Sequence, residues 1–360
     1  MKNIAAQFEI NGEIADITPL KIGHINDSYI VHAKNANDPS YFLQKINANI
    51  FKDVAGLQQN IQLVTDHLRK KLADKGVSDL DRKVLRLIPT KDGKLFYQTA
   101  DDDYWRMYVY IQNTHGYDAI TPELAYKAGV AFGDFQDMLS DIDKTHLIET
   151  IPDFHNMEFR LQQFRDAVED NKAGRLAKTQ QIVAEIEKRA DEMCRPQQLF
   201  REGRLVKRIN HCDTKVNNML FDENDEPTCI VDLDTVMPGF VLSDFGDFMR
   251  TAANTGAEDD ANLDNIGVDM EIFEAYTKGY LRKATFLTPV ELDNLAFGAK
   301  LLSYMQTVRF FTDYLNGDTY YKIQYPEHNL QRTLAQLRLL QSQEAHFDTM
   351  RQIVQKYSGR

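Results

Sequence analysis

The chain has 360 residues, 43% hydrophobic and 27% charged, long enough for two lobes or domains with sizeable cores. Acidic residues outnumber basic ones 54 to 42, a net charge of -12, which argues against a nucleic-acid partner because such a partner needs a basic face. Cys194, Cys212 and Cys229 are few, odd in number and without metal-ligand spacing, no apolar run is long enough to span a membrane, and residues 1–10 lack the apolar core of a signal peptide. A cytoplasmic enzyme acting on small molecules, with no nucleic-acid or membrane partner, is the expectation.

Taken in order, residues 14–22 and 29–33 read as two strands joined by the turn Gly23-His24-Ile25-Asn26-Asp27-Ser28. Turn formers crowd residues 35–40, and Tyr41-Phe42-Leu43-Gln44-Lys45-Ile46 follows as a third strand. Residues 53–72 predict a helix, with Val54, Leu57, Ile61, Val64 and Leu68 at helical spacing. Segments 84–88, 95–99 and 104–110 complete an expected antiparallel sheet, with Asp101-Asp102-Asp103 at a solvated hairpin tip and Trp105 in packing. After His115 the composition turns helical. Thr121 is a good N-cap, followed by Pro122 at the first position of a helix over 122–139. Further helices are expected over 157–168, 179–193, 273–281, 290–312 and 328–354, with an exposed acidic loop over 254–264 and Gly317 as a C-cap.

The chemistry concentrates in His211-Cys212-Asp213-Thr214-Lys215-Val216-Asn217-Asn218, a His-x-Asp-x-x-x-x-Asn spacing that follows the apolar run 205–209. A second apolar run, Cys229-Ile230-Val231, leads into Asp232 about twenty residues after Asp213. Phosphoryl transfer needs these parts: a carboxylate beside the nucleophilic hydroxyl, and an amide oxygen and a second carboxylate on magnesium. Asp213 is then the base, and Asn218 and Asp232 hold the metal through hard oxygen donors. A polar hairpin of ordinary turn residues is the competing reading. With that assignment, the loop 23–28 would lie over phosphates and Lys45 would project toward them. The loop has a single glycine, and either feature alone is weak. Residues 107–113, Tyr110 among them, would form the hinge whose backbone reads adenine. No Glu lies between Lys45 and Lys71 to pair with that lysine, which leaves Gln62, Asp66 or the phosphates alone. The letters Asp244-Phe245-Gly246 invite a second metal assignment. However, Ser243 and Asp244 sit where a helix begins, and a cap is expected there.

The stretch from His211 to Asn218 resembles the catalytic loop of the aminoglycoside phosphotransferase and choline kinase family. Together with Val231-Asp232-Leu233-Asp234-Thr235-Val236-Met237-Pro238-Gly239, it is similar in particular to the N-acetylhexosamine 1-kinases, and the likeness covers nearly the whole chain. The resemblance implies an α+β, protein-kinase-like fold of two lobes: a small antiparallel β-sheet N-lobe over 1–110 and a mainly helical C-lobe over 111–360. It further implies a monomer that uses ATP and Mg2+ to phosphorylate a sugar at C1. Gly23, Asn26, Ser28, Lys45 and Tyr110 would contact ATP, and His24, Asp213, Arg309 and Tyr320 the sugar. His211 and Asp244 would anchor the catalytic loop. A buried structural pair for Arg309 and a core position for Tyr320 are the competing readings. Kinases of choline, aminoglycosides or other sugars, and a nucleotide-binding module without turnover, are the alternatives.

Overall fold

The computed structural model describes residues 1–20 and 25–359. The chain forms two compact units: Met1–Gly116, Asp141–Pro152 and Asn218–Pro238 make the first, and Tyr117–Ser140, Asp153–Asn217 and Gly239–Arg360 the second. The architecture is α+β and kinase-like, with an antiparallel five-stranded sheet at the N-terminal end and largely helical structure after it.

In the first unit, β1 (Ile14–Leu20), β2 (Asp27–Ala33), β3 (Tyr41–Ile46), β4 (Tyr97–Gln98) and β5 (Tyr104–Val109) pair in the order β1-β2-β3-β5-β4. Side chains alternate between the two faces of a strand. One face carries Val31, Leu43, Trp105 and Met107 into a core with Ala5, Phe8 and Ile88. The other carries Ser28, Gln44 and Arg106, which stand directly opposite one another across β2, β3 and β5. Segment 84–88, expected as a strand, is not one. Its backbone bonds to β5 are Ile88 N–H on Met107 O (2.8 Å) and Val109 N–H on Arg86 O (3.0 Å), and Pro89 has no N–H to carry the ladder on. The helix Val54–Asp74 is N-capped by Asp53, which accepts Gly56 N–H at 2.8 Å. After β6 (Arg208–Asn210), which lies in the second unit, β7 (Met219–Phe221) and β8 (Pro227–Ile230) form a hairpin in the first.

In the second unit, the helix Pro122–Leu139 starts where Thr121 accepts Leu124 N–H. The helices Val241–Ala252 and Pro289–Asn316 cross at Gly246 and Gly298. A Cβ on Gly246 would meet Gly298 O at 2.1 Å, so the backbones approach to a distance only glycine allows. Met157, Leu161, Phe164, Leu301, Met305, Phe311, Tyr314, Leu337 and Leu340 belong to one of its core clusters. Two expected helices are broken. The one over 179–193 becomes Gln180–Glu187 and Ala190–Met193, because Arg189 turns its guanidinium onto Glu185 O (2.7 Å) and onto Glu344. The one over 328–354 becomes His328–Ala345 and Phe347–Tyr357, with the His346 ring nitrogen on Ser342 O (2.8 Å) at the junction. No helix among the described residues is long and apolar enough to cross a membrane.

Candidate active site

The hairpin of β7 and β8 decides where Asn218 and Asp232 go. Met219 pairs with Ile230, and Val231 N–H donates to Asn218 O at 2.8 Å, so both residues emerge at the same end of the hairpin. Asp232 has φ 59° and ψ 57°, a left-handed conformation that Asp tolerates better than most residues. An amide oxygen and a carboxylate so gathered suit a hard divalent ion that keeps further positions for phosphate oxygens or water.

The sheet supplies the neighbouring groups. Arg106 donates through Nε and Nη2 to Gln44 Oε1 (3.0 and 2.8 Å) and through Nη1 to the Asp234 carboxylate. Asn26 Nδ2 donates to the other Asp234 oxygen at 2.7 Å, and Asn26 Oδ1 accepts Asn47 N–H at 3.0 Å. Ser28 Oγ accepts from Gln44 Nε2 at 3.0 Å. Asn26 and Ser28, expected at the nucleotide, thus have side chains already engaged by the protein.

Lys45 departs from expectation. It follows Gln44 on β3 and therefore points to the face opposite Arg106 and Asp234. Its ammonium meets Asp103 at 2.7 Å, each side chain about a third exposed (35% and 38%). The partner is neither Gln62 nor Asp66, both exposed on the helix Val54–Asp74, and Asp103 is more than a solvated tip. Tyr110 is half-buried, and its N–H is taken by Ser40 O at 2.9 Å. Gly23 and His24 lie outside the described residues.

In the second unit the His-x-Asp loop hangs on Asp244. The two Asp244 carboxylate oxygens accept His211 N–H and Cys212 N–H at 2.8 Å each, and Gln136 Nε2 donates to one of them at 2.7 Å. Thr214 Oγ1 donates to Asp244 O at 2.5 Å, and Tyr280 OH holds Gln136 in place. Burial pushes the Asp244 carboxyl up to about 7, although all three donors pull the other way. Asp244 faces inward from the first turn of its helix; it does not cap it, the cap position being Phe240. His211 lies between the rings of Phe132 and Phe135 and accepts Asp213 N–H on Nδ1 at 3.3 Å.

Asp213 pairs with Lys215 at 3.0 Å. Burial opposes ionisation of Asp213, but Lys215, His211 and Arg250 together outweigh it and hold the carboxyl below the usual range. Lys215 is raised in return, first by Asp213. Behind them Arg250, nearly fully buried, bridges Asp247 (3.0 Å) and Glu258 (2.6 Å) through one Asp247 oxygen, while Asp247 Oδ2 is buried without a hydrogen-bond partner among the described residues.

Arg309 lies over the rings of Phe154, Tyr321 and Tyr320, at 5.1, 5.6 and 5.9 Å, and donates to Gln306 Oε1 at 3.2 Å. Among the described residues neither Arg309 nor Arg160 forms a salt bridge, although the Asp153 charge acts on Arg160, so Arg309 is not part of a buried structural pair. Tyr320 is 54% exposed and is not core. Its loop is organised by Asp313, which accepts Tyr320 N–H (2.8 Å) and Tyr321 N–H (3.0 Å). Burial and then Arg309 lower Arg160 to about 10. Burial, then Arg309 and Arg160, lower His155 to about 3, so its imidazole stays neutral; the Asp213 charge acts on the same ring in the opposite sense. His155, Arg160 and Tyr321 escaped the sequence reading because nothing local marks them. Lys215, two residues after Asp213 inside the motif, could have been found.

These parts define a kinase-like phosphotransferase fold. The model of the phosphotransferase enzyme family matches residues 16–281, and the chain belongs to that family. Among solved structures it is similar to a spectinomycin phosphotransferase in complex with ADP and spectinomycin, at 16% identity over 92% of this chain and 94% of the other, TM-score 0.57. It is similar to an amicoumacin kinase in complex with AMP-PNP, Ca2+ and Ami, at 14% identity over 99% of this chain and 92% of the other, TM-score 0.57. A choline kinase from Cryptosporidium parvum matches at 12% identity over 98% and 95%, TM-score 0.52.

Proposed function

We propose that this phosphotransferase is an ATP- and magnesium-dependent kinase of the anomeric hydroxyl of N-acetylglucosamine or N-acetylgalactosamine. The observation that carries the reaction class is the Asp213–Lys215 pair on a loop anchored by the Asp244 carboxylate. Asp213 orients the sugar O1–H and accepts its proton. The oxygen attacks the γ-phosphorus, the new O–P bond forms, and the bridging P–O bond breaks to release ADP. An anomeric hydroxyl is more acidic than an ordinary alcohol, so the proton transfer can come late. Lys215 keeps Asp213 ionised. Asn218 and Asp232 would hold the metal, which when bound offsets charge on the phosphates.

The acceptor reading draws on the likeness of the loop to N-acetylhexosamine 1-kinases and on Arg309 with Tyr320 and Tyr321. A guanidinium and aromatic surfaces suit ring hydroxyls and an acyl oxygen. Other sugars, choline and aminoglycosides are the alternative acceptors. Two arginines that form no salt bridge weigh against a cationic acceptor, whose charge they would repel.

The test is a screen of N-acetylhexosamines, other sugars, choline and aminoglycosides with ATP and magnesium. ADP release is followed and the phosphate located by NMR. The expected product carries phosphate on O1 with the α configuration of the substrate retained, because no bond to C1 breaks. Arg309→Ala should weaken sugar use while sparing ATP binding. Phosphate on O6, or brisk turnover of choline with none of any N-acetylhexosamine, would sink the substrate assignment.

A further inference from the structure

Three observations converge on Arg106. First, strand parity sets Ser28, Gln44 and Arg106 in one row across the sheet, on the face away from Leu43 and Met107, and the row ends on Asp234. Second, the pair is dry: the Arg106 side chain is 1% exposed and that of Asp234 4%. A guanidinium so placed is costly unless its partner stays, so the two hold each other in position. Burial works to lower Arg106, but Asp234, with a smaller contribution from Asp232, raises it above the ordinary arginine range. Third, Asp234 lies two residues past Asp232, whose left-handed backbone needs support from its surroundings. Four residues past Asp232, Val236 O accepts Asn60 Nδ2 at 3.0 Å, and just before it Val231 N–H is fixed on Asn218 O.

We propose that Arg106 is a positioning residue which, acting through Asp234, holds Asp232 in its metal-binding pose. This rests on reading Asp232 as a metal ligand. In kinases an ion pair between a strand lysine and a helix glutamate must be in place alongside the metal aspartate. Here the helix Val54–Asp74 offers no glutamate and Lys45 turns to the other face, paired with Asp103. The buried pair that ties the sheet to the metal segment is Arg106 with Asp234.

The test measures Mn2+ affinity in the presence of ADP by electron paramagnetic resonance, on the full chain, with thermal melting followed in parallel. Arg106→Met is expected to weaken Mn2+ by about 10–100-fold, the usual scale for outer-shell partners of a metal site. Arg106→Lys should recover part of the loss, and Lys45→Met should shift the affinity less than Arg106→Met does. A single variant leaves a buried unpaired charge and can fail to fold. Arg106→Met with Asp234→Leu removes both charges, melts closer to the wild type, and should still bind Mn2+ weakly. Wild-type Mn2+ affinity in the double variant would overturn the inference, as would a larger loss in Lys45→Met than in Arg106→Met. A wild type that binds no Mn2+ with ADP would overturn the kinase reading together with it, whereas a binding wild type with unaltered variants would overturn this inference alone.

Discussion

Replacing Lys215 by Met tests whether a single ammonium keeps the proposed base ionised. The Lys215 nitrogen stands 3.0 Å from the Asp213 carboxylate. At that separation two unit charges attract by about 5 kcal/mol with an effective dielectric of roughly 20. The Lys215 side chain is 38% exposed, so solvent screens much of this, and about 1–3 kcal/mol is the working figure. Because Lys215 depresses Asp213, its removal must raise the carboxyl, and the acid limb of kcat/KM against pH should move to higher pH. Stability follows the same sign. A depressed carboxylate stabilises the fold above its unfolded pKa, and this contribution is lost as pH falls through the lower, folded value. Lys215→Met should therefore unfold at lower urea than the wild type at neutral pH, with the gap closing in acid. An acid limb that keeps its midpoint while only the height falls would remove Lys215 from this role.

Asp213→Asn should lower turnover by about two to four decades while nucleotide binding measured by calorimetry stays near normal; near-normal turnover would remove Asp213 as the base. Asp244→Ala strands the buried amides of His211 and Cys212 and the Gln136 donor, and should cost about 3–5 kcal/mol in urea unfolding. Asp232→Asn keeps a residue that tolerates the left-handed backbone and should stay within about 1 kcal/mol of the wild type while losing magnesium-dependent ATP use; the reverse pattern would mean that ligand and anchor are exchanged. Asp103→Asn removes the charge facing Lys45 and should change stability by less than about 1 kcal/mol, since both side chains are about a third exposed, and a larger loss would show that the pair anchors β3.

What was legible in the sequence was local. The strand Tyr41–Ile46 and the helix Pro122–Leu139 came out with the expected bounds because their turn formers, cap and proline lie within a few residues of them. The motif from His211 to Asn218 was readable as a spacing, and so was Asp232 at the end of an apolar run. The direction of Lys45 was not. Both parities of β3 are largely apolar, Tyr41 and Leu43 on one face and Phe42 and Ile46 on the other, so the core face could not be chosen from β3 alone. Arg106 carried a signal that went unused: it is the one charged residue inside Tyr104-Trp105-Arg106-Met107-Tyr108-Val109, and a charge in an apolar strand is rarely buried without a partner. That partner lies 128 residues on, beyond local reasoning. The broken helix at Arg189 has the same origin, in the distant Glu344.

The arrangement around Arg309 bears on specificity more than on reaction type. Phe154, His155 and Arg160 come from one segment, Arg309 from a helix, and Tyr320 and Tyr321 from the loop after it. Each arginine raises the electrostatic cost of the other, as the lowering of Arg160 shows, and the neutral His155 adds no charge to offset them. Such a cluster is stabilised by a ligand that brings electron-rich oxygens and is penalised by one that brings a further cation. Membership of the phosphotransferase family fixes the reaction type but leaves the acceptor open, since the chain resembles both a spectinomycin phosphotransferase and an amicoumacin kinase. The proposed preference for a polyhydroxylated, acyl-bearing acceptor over an amine rests on this local charge balance, in which two neighbouring guanidiniums are offset only in part, by Asp153 at Arg160.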